Sequence, residues 1–142
     1  MRLAISHLNT LKRRGNWMGV SILQSTKKYL GINSELTEFD QDIIMCINTA
    51  LNILTQLGVG PNEGFMITSG EETWDEFLGG DKRLNMAKTH VFLKTKIIFD
   101  GSGMGNAILS AYQEQVRELE CRLSYQVDPY YTFDDQPDDG GE

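Results

Sequence analysis

The chain of 142 residues has the length of one ordinary domain, which allows a single hydrophobic core. Its 20 acidic side chains outnumber its 13 Lys and Arg, so the chain as a whole is a poor general binder of nucleic-acid phosphates. The two cysteines form no disulfide framework or CxxC metal pair, and no apolar run approaches the roughly 20 residues of a membrane-spanning helix. Composition therefore predicts a soluble protein of a reducing compartment.

Charge is unevenly distributed along the chain. Residues 1–33 carry six Lys and Arg and no acidic side chain, whereas residues 34–142 carry seven Lys and Arg against twenty Asp and Glu. Residues 1–17 are a basic N-terminal extension, either an arm that contacts nucleic acid or an acidic partner, or a short and poorly ordered segment. Met18 resembles a natural start, so translation from Met1 and from Met18 both remain open.

The first predicted element is a helix of about three turns between residues 20 and 30. Ser21 is its candidate N-cap, and Gly31 follows as its stop. The basic pair Lys27 and Lys28 is predicted to face solvent.

The central helix is predicted over residues 40–57. Its apolar residues recur at the i, i+3, i+4 and i+7 spacing that places them on one helical face. These residues are Ile43, Ile44, Ile47, Ala50, Leu51, Leu54 and Leu57. Asp40 and Asp42 suit the positive end of the helix dipole, and Gly58 suits a left-handed C-terminal position. At roughly 1.5–3 kcal/mol for each large side chain that is fully buried, this helix is predicted to contribute most to the core.

A short helix is predicted after a loop rich in glycine and proline. Residues 65–67 within that region are a short extended candidate, and Thr73 is a candidate N-cap. Trp74, Phe77 and Leu78 have the spacing of a helical face that covers the core. That structural role is favoured over ligand stacking by Trp74.

The region that follows is ambiguous in its periodicity. Residues 81–99 fit both a helical face and the alternation of a strand, and we favour a helix because residues 83–88 are good helix formers without a break. Asp100–Asn106 imitates a dinucleotide-binding loop, but its third glycine is misplaced and no second strand follows. A flexible loop between helices is therefore predicted there.

Residues 107–123 are predicted to form a long helix with a narrow apolar stripe. The stripe consists of Ile108, Leu109, Tyr112, Val116, Leu119 and Leu123. It can pack on the core of the chain or on a neighbouring subunit. Glu118 and Arg122 have the order that favours an i,i+4 ion pair.

Residues 124–133 are predicted to be extended, because Pro129 forbids a helix there. One side of the extended chain is apolar. Its residues are Tyr125, Val127, Tyr131 and Phe133. Such a segment can pair with the edge of a sheet in another protein, or it is a mobile tail. Residues 134–142 contain five acids and are predicted to be disordered.

The sequence contains no recognisable constellation of catalytic or metal-binding residues. His7 and His90 are the two histidines, and neither lies in a metal-ligand spacing. No calcium loop, nucleophile elbow or kinase signature occurs. We therefore predict a protein that is not an enzyme and uses no cofactor and no metal.

Together these elements predict a mainly α fold, a small bundle of about four helices with long loops and an extended C-terminal arm. The predicted organisation is a basic extension over residues 1–17, a helical domain over 18–123, and an arm with an acidic tail over 124–142. From its residues alone, the chain is an acidic helical domain with an apolar segment near its end.

A family resemblance is carried by the stretches Ile22–Ile32, Asp42–Leu51 and Gln56–Pro61. It continues through Thr73–Trp74, Arg83–Lys88, Leu93–Asp100 and Glu118–Leu123. Over about residues 20–130 the chain resembles the head-tail connector proteins of long-tailed bacteriophages. These are also known as adaptor or head-completion proteins and are sometimes described as DNA-packaging proteins.

The resemblance implies a structural virion protein that forms a homo-oligomeric ring beneath the portal protein after the genome is packaged. The ring would extend the DNA channel, complete the head and offer a surface to the next neck or tail-completion protein. Genomic DNA would pass through without sequence-specific contact, helped by an acidic wall. The expected location is the neck of the virion, at the head-tail interface, after synthesis in the cytoplasm of the bacterial host, with no membrane partner.

The resemblance also suggests two sets of interacting residues. The C-terminal arm, which in similar connectors reaches into the portal, would dock through Tyr125, Val127, Tyr130, Tyr131 and Phe133. The candidates for contact between subunits are Tyr112, Val116, Leu119, Leu123 and Trp74. The alternative function is a small helical DNA-binding or regulatory protein that uses its basic N-terminal arm.

Overall fold

Five α-helices make up most of residues 19–128, the part of the chain that the computed structural model describes. The helices are α1 (Ile22–Leu30), α2 (Asp40–Gln56), α3 (Trp74–Leu78), α4 (Met86–Asp100) and α5 (Asn106–Val127). Two 3₁₀ turns, Lys82–Leu84 and Gly101–Gly103, precede α4 and α5. Residues 19–128 contain no strand, which confirms the prediction of a mainly α fold.

The ends of the first two helices follow the capping chemistry of their sequence. The Ser21 hydroxyl accepts a hydrogen bond from the Gln24 amide at 3.2 Å, which caps α1. Gly31 has φ 77° and Gly58 has φ 89°, the left-handed conformation expected just after a helix. At the C-terminal end of α2, next to Gly58, the Val59 amide donates to the Leu54 carbonyl at 2.9 Å.

The core forms around α2, as predicted. Seven side chains of α2 are buried, and α4 packs along this face. The buried residues are Ile43, Ile44, Cys46, Ile47, Ala50, Leu51 and Leu54. Phe39, just before α2, meets Phe99 near the end of α4 with ring centroids 6.0 Å apart, so the two helices are antiparallel. The stretch with ambiguous periodicity is helical, as predicted, although the 3₁₀ turn Lys82–Leu84 precedes α4, which begins only at Met86.

The short helix α3 covers one side of the core. Its Trp74 is 2% exposed, and the indole Nε1 donates to the Ser25 hydroxyl at 2.9 Å. Thr73 and Glu76 form a reciprocal capping box at its start. Phe77 approaches the loop so closely that a Cβ on Gly60 would lie 2.3 Å from its Cε2 atom. The predicted role of Trp74 in the core is confirmed.

Residues 65–67, which were predicted to be a short extended segment, form no strand. Their backbone is held instead by the side-chain amide of Asn48 on α2. The Ile67 amide donates to Asn48 Oδ1 at 2.8 Å, and Asn48 Nδ2 donates to the Ile67 carbonyl at 2.9 Å. This pair of hydrogen bonds fixes the loop against the outer side of α2.

The position of Lys27 corrects one prediction. Lys28 is exposed, but Lys27 is fully buried. Its Nζ donates to the carbonyls of Ser34 at 3.1 Å and Leu36 at 2.7 Å, and lies 2.7 Å from Asp40 Oδ1. The loop after α1 folds back over Lys27, so this side chain joins α1 to the first turn of α2.

The C-terminal end of α5 corrects a second prediction. The helix continues four residues past the expected boundary at Leu123, so residues 124–127 are helical and not extended. Pro129 restricts the residue before it, and Asp128 has an extended ψ of 115°, but this restriction does not reach the preceding turn. Val127 also packs against the core, and an alanine Cβ at Gly58 would lie 3.2 Å from its Cγ2 atom.

Candidate interaction surfaces

The buried histidine His90 joins two helices through a single acidic partner. Its Nε2 lies 3.0 Å from Oε1 of Glu120 on α5, and its Nδ1 has no hydrogen-bond partner among residues 19–128. Burial lowers the pKa of His90, and the nearby Lys94 lowers it further, whereas Glu120 opposes both. The neutral ring thus holds α4 against α5. His7 lies outside the described residues.

Glu72 holds a loop together through hydrogen bonds to its carboxylate. Its carboxylate accepts hydrogen bonds from the amides and hydroxyls of both Thr68 and Ser69. Burial alone would raise the pKa of Glu72, but these hydrogen bonds outweigh it and lower the pKa. Between residues 19 and 128, no three His, Cys, Asp or Glu side chains are grouped as metal ligands. No helix in the same range has the length and apolarity needed to cross a membrane.

An apolar groove lies where α1, α4 and the first half of α5 meet, and we call it the Tyr29 groove. Its volume is about 500 Å³. The lining residues are Tyr29, Leu93, Ala107, Ile108, Ala111, Tyr112 and the polar Gln115. Leu93 forms the buried floor. Because Ala107 and Ala111 lie one turn apart and have small side chains, the groove extends down to the backbone of α5.

The wall of the groove is held in place by aromatic packing. The ring of Tyr29 stacks on Phe92 with a centroid distance of 5.2 Å and an interplanar angle of 14°. Burial raises the pKa of Tyr29, and the electrostatic interaction with Tyr112 raises it further. Phe92 is also held by the edge of Trp74, at a centroid distance of 5.7 Å. The groove is therefore preformed and connected to the core.

A second surface lies on the outer side of α2, and we call it the Met66 surface. It comprises Met45 together with the residues that line an adjacent cleft of about 440 Å³. The principal residues of the cleft are Asn48, Asn52, Glu63, Phe65 and Met66. Met45 and Met66 are both 64% exposed. Asn48 binds the backbone of Ile67, the residue after Met66, and Met45 lies one turn before Asn48 on α2.

The two surfaces differ in charge. Residues 29–81 contain ten Asp and Glu but no Lys or Arg, so the Met66 surface lies in a wholly acidic part of the chain. Residues 82–99 contain five Lys and Arg and no acid, and this segment includes Leu93 on the floor of the Tyr29 groove. The exposed Lys28 directly precedes Tyr29. Glu63 thus gives the Met66 surface an acidic side chain, whereas no charged residue lines the Tyr29 groove.

The structure separates the candidates for subunit contact into two groups. Trp74, Val116 and Leu123 are buried inside the subunit, so they support its own core and are not available at its surface. Leu119 and Tyr112 are half-buried, and Tyr112 lines the Tyr29 groove. The subunit therefore buries only Val116 and Leu123 of the apolar stripe of α5 and leaves the other stripe residues half-buried or exposed.

The candidate docking arm is only partly described. Tyr125 is 50% exposed and Val127 is half-buried, and both lie on α5 instead of on an extended segment. Tyr130, Tyr131 and Phe133 lie outside the described residues.

Several residues of the two surfaces were not among the predicted site residues. Met45 could have been found, because it is a large apolar residue on the otherwise polar face of α2. Ile108 was identified only as a member of the apolar stripe of α5, and it is 57% exposed. Tyr29 and Leu93 come together through the crossing of α1 and α4, which local periodicity does not specify.

These features define a small helical protein with exposed apolar surfaces that suit contact with other proteins. The family model described as "Phage connector protein" matches residues 22–130. The match includes all five helices and more than half of the chain, so the chain belongs to the phage connector protein family and is a structural connector of a phage. The resemblance found in the sequence is confirmed. No curated protein and no solved structure matched the chain.

Proposed function

We propose that this connector forms a ring between the portal and the tail of a long-tailed phage, extends the DNA channel and completes the head after packaging. The observation that carries the proposal is the family match over residues 22–130. It runs from the start of α1 to beyond the end of α5, so the whole helical body corresponds to a connector unit. The protein would be made in the bacterial cytoplasm and reside in the neck of the virion.

The charge of the helical body supports passage of DNA through such a ring. Residues 19–128 carry fifteen Asp and Glu against nine Lys and Arg. An acidic wall repels the phosphate backbone and forms few of the Lys and Arg contacts that hold DNA in place. DNA would therefore pass without sequence-specific contact, as ejection of a genome requires.

The position of the C-terminal arm supports docking to the portal. Residues 129–142 follow α5 directly, and the end of α5 is fixed because Val127 packs against the core beside Gly58. The arm therefore departs from a defined point. Its apolar residues Tyr130, Tyr131 and Phe133 suit a protein partner, and extended segments often bind by pairing with the edge of a sheet.

The decisive measurement is the mass of the protein with its portal, by native mass spectrometry or light scattering. The full chain should form a stoichiometric complex, and a chain truncated after Asp128 should not. Truncation at this point keeps Val127, so circular dichroism and thermal unfolding should match those of the full chain. The double variant Tyr131→Asp with Phe133→Asp tests the same contact without shortening the chain.

A full chain that ignores the portal would contradict the proposed function. Duplex DNA binding that weakens with salt and disappears when residues 2–14 are removed would instead support the DNA-binding alternative. Portal binding that is unchanged in the truncated chain would retain the connector function and assign docking to the helical body.

A further inference from the structure

We propose that residues 3–11 of the N-terminal extension bind in the Tyr29 groove of their own subunit. The contact goes beyond the proposed ring and does not depend on it, because it lies within a single chain that begins at Met1. It is inferred from the open apolar surface of the groove, the apolar pattern of the extension and the short distance between them.

The Tyr29 groove presents apolar surface that residues 19–128 leave uncovered. Ile108 is 57% exposed and Tyr29 is 40% exposed. Ala107 and Ala111 are exposed as well, so the groove is open along the first half of α5. Because Tyr29 is stacked on Phe92, the wall of the groove is held in place and does not close over this surface. Covering the groove with apolar side chains is therefore favourable.

The extension contains an apolar pattern that needs such a surface. Ala4, Leu8 and Leu11 recur at the i, i+4 and i+7 spacing of one helical face. The residues on the opposite face would be polar, and they are Arg2, Ser6, Asn9, Thr10 and Arg13. A helix of about ten residues is marginal in water and depends on the packing of its apolar face. Residues 3–11 therefore suit a helix that docks in an apolar groove.

The groove lies within reach of the extension. The Val20 carbonyl accepts a hydrogen bond from the Trp74 amide at 3.0 Å, which fixes the start of the described chain beside α3. From Ser21 to Tyr29 the chain advances only about 12 Å along α1. The eight residues from Leu11 to Gly19 span up to roughly 27 Å when extended. Leu11 can therefore reach the groove without full extension of the chain.

The C-terminal arm cannot make the same contact. Ala111 and Asp128 are separated by about 25 Å along α5, at roughly 1.5 Å per residue. The five residues from Asp128 to Phe133 span at most roughly 17 Å when extended. The apolar part of the arm falls short of the groove. Of the two segments outside the described residues, only the extension can therefore fill the groove of its own subunit.

Charge permits this contact without determining it. The residues that line the groove are uncharged. The exposed Lys28 precedes Tyr29 and the exposed Glu114 precedes Gln115, so both signs occur at the rim. Residues 12–14, all basic, follow the apolar part of the extension and can remain in solvent. The contact is therefore apolar, and salt should weaken it little.

Hydrogen exchange in the full chain, measured by mass spectrometry, tests the contact from the side of the extension. The apolar-face variant combines Leu8→Asp with Leu11→Asp, which places charge on the face that would enter the groove. The matched polar-face control combines Asn9→Asp with Thr10→Asp and adds the same charge to the opposite face. All four substitutions lie outside the helical body, so its folding should be unchanged.

A second pair of variants tests the contact from the side of the groove. Ala111→Glu places a larger, charged side chain in the groove. Ser110→Glu is its matched control, because Ser110 is the neighbouring exposed residue of α5 and does not line the groove. Both positions are exposed, so neither variant should disturb the core.

In the wild type, the amides of residues 3–11 should exchange at least about tenfold more slowly than in the apolar-face variant. Ala111→Glu should remove this protection as well, whereas both controls should retain it. Protection should persist in ~0.5 M salt, because the contact is apolar. A mixture of the apolar-face variant with Ala111→Glu should remain unprotected, because the intact extension and the intact groove then lie on different chains.

Four results would overturn the inference. They are equal exchange in the wild type and the apolar-face variant, protection that survives Ala111→Glu, protection that returns in the mixture, and protection that is lost in salt. The second would place the extension on another surface, the third would identify the extension of a neighbouring copy as the occupant, and the fourth would assign the contact to residues 12–14. All proteins are measured without the portal, so a chain that ignores the portal would refute the proposed function and leave this contact intact.

Discussion

The helices α2 and α5 have similar apolar patterns but different positions in the fold. Seven side chains of α2 are buried among its 17 residues, whereas α5 buries only Val116 and Leu123 among 22. α2 is covered by α1, α4 and the loop held by Asn48, whereas α5 packs mainly along α4.

This difference separates a helix that builds the core from one that offers a surface. The apolar face of α2 is satisfied within the subunit, so its residues determine stability. The first half of α5 leaves Ile108 exposed and Tyr112 half-buried beside the Tyr29 groove. A stripe at helical spacing therefore shows which residues share a face, whereas the surrounding elements decide whether that face is covered.

The largest expected difference is between Leu51→Ala on α2 and Ile108→Ala on α5. Leu51 is fully buried, so its truncation should leave a cavity and lower the free energy of unfolding by about 2–5 kcal/mol. Ile108 is 57% exposed, and its truncation should change that free energy by about 0.5 kcal/mol or less. Urea denaturation of the two variants measures both. Similar losses would show that α5 contributes to the core as strongly as α2.

A slightly smaller loss in the free energy of unfolding is expected for Lys27→Met. This variant tests how α2 is attached to α1. The variant leaves Asp40 and the carbonyls of Ser34 and Leu36 without the ammonium group that they surround. We expect a loss of about 3 kcal/mol, at the low end for a broken buried pair because the Asp40 side chain is 19% exposed. Lys28→Met, at the exposed neighbour, is the matched control. If both variants have the same urea midpoint of unfolding as the wild type, the buried contact of Lys27 is not part of the folded protein.

The contact between α4 and α5 should become less stable at acidic pH because of His90. Its pKa is lowered in the folded protein, with burial as the main cause, so the unfolded chain binds a proton first as the pH falls. The stability due to neutral His90 is complete above the unfolded pKa of about 6.5 and declines below it, until the folded pKa is reached.

The measurement compares urea midpoints at about pH 7.5 and about pH 5.5 for the wild type and His90→Gln. Gln retains a donor for Glu120 but does not titrate, so the variant should lose less stability in acid than the wild type. Equal losses would show that proton uptake by His90 is not coupled to unfolding.

The smallest effect is expected on the outer face of α5, where Glu118 and Arg122 form an i,i+4 ion pair at 2.7 Å. Both side chains are more than half exposed, so Arg122→Ala should cost only about 0.3–0.5 kcal/mol, and less in high salt. Thermal unfolding in low and high salt measures this. A loss as large as that of Leu51→Ala would contradict the view of α5 as a lightly attached surface helix.

The capping residues and the buried face of the central helix could be predicted because their causes are local. Ser21, Gly31 and Thr73 act through neighbouring backbone groups, and the apolar spacing of α2 identifies its buried face without knowledge of its partners. The same local information indicated Trp74 as a core residue. Belonging to the connector family was also visible in the sequence, since the resemblance extends across the helical body.

The interaction surfaces depended on how distant elements meet. Lys27 could not be recognised as buried, because its partners come from a loop that folds over it only in the tertiary structure. The Tyr29 groove forms where α1 crosses α4 and α5, and the Met66 surface forms because Asn48 holds residues 65–67 against α2. Sequence by itself determined the helices and their caps through short-range hydrogen bonds and periodicity. Tertiary packing alone decided which apolar and charged side chains are covered, because coverage depends on neighbours far away in the chain.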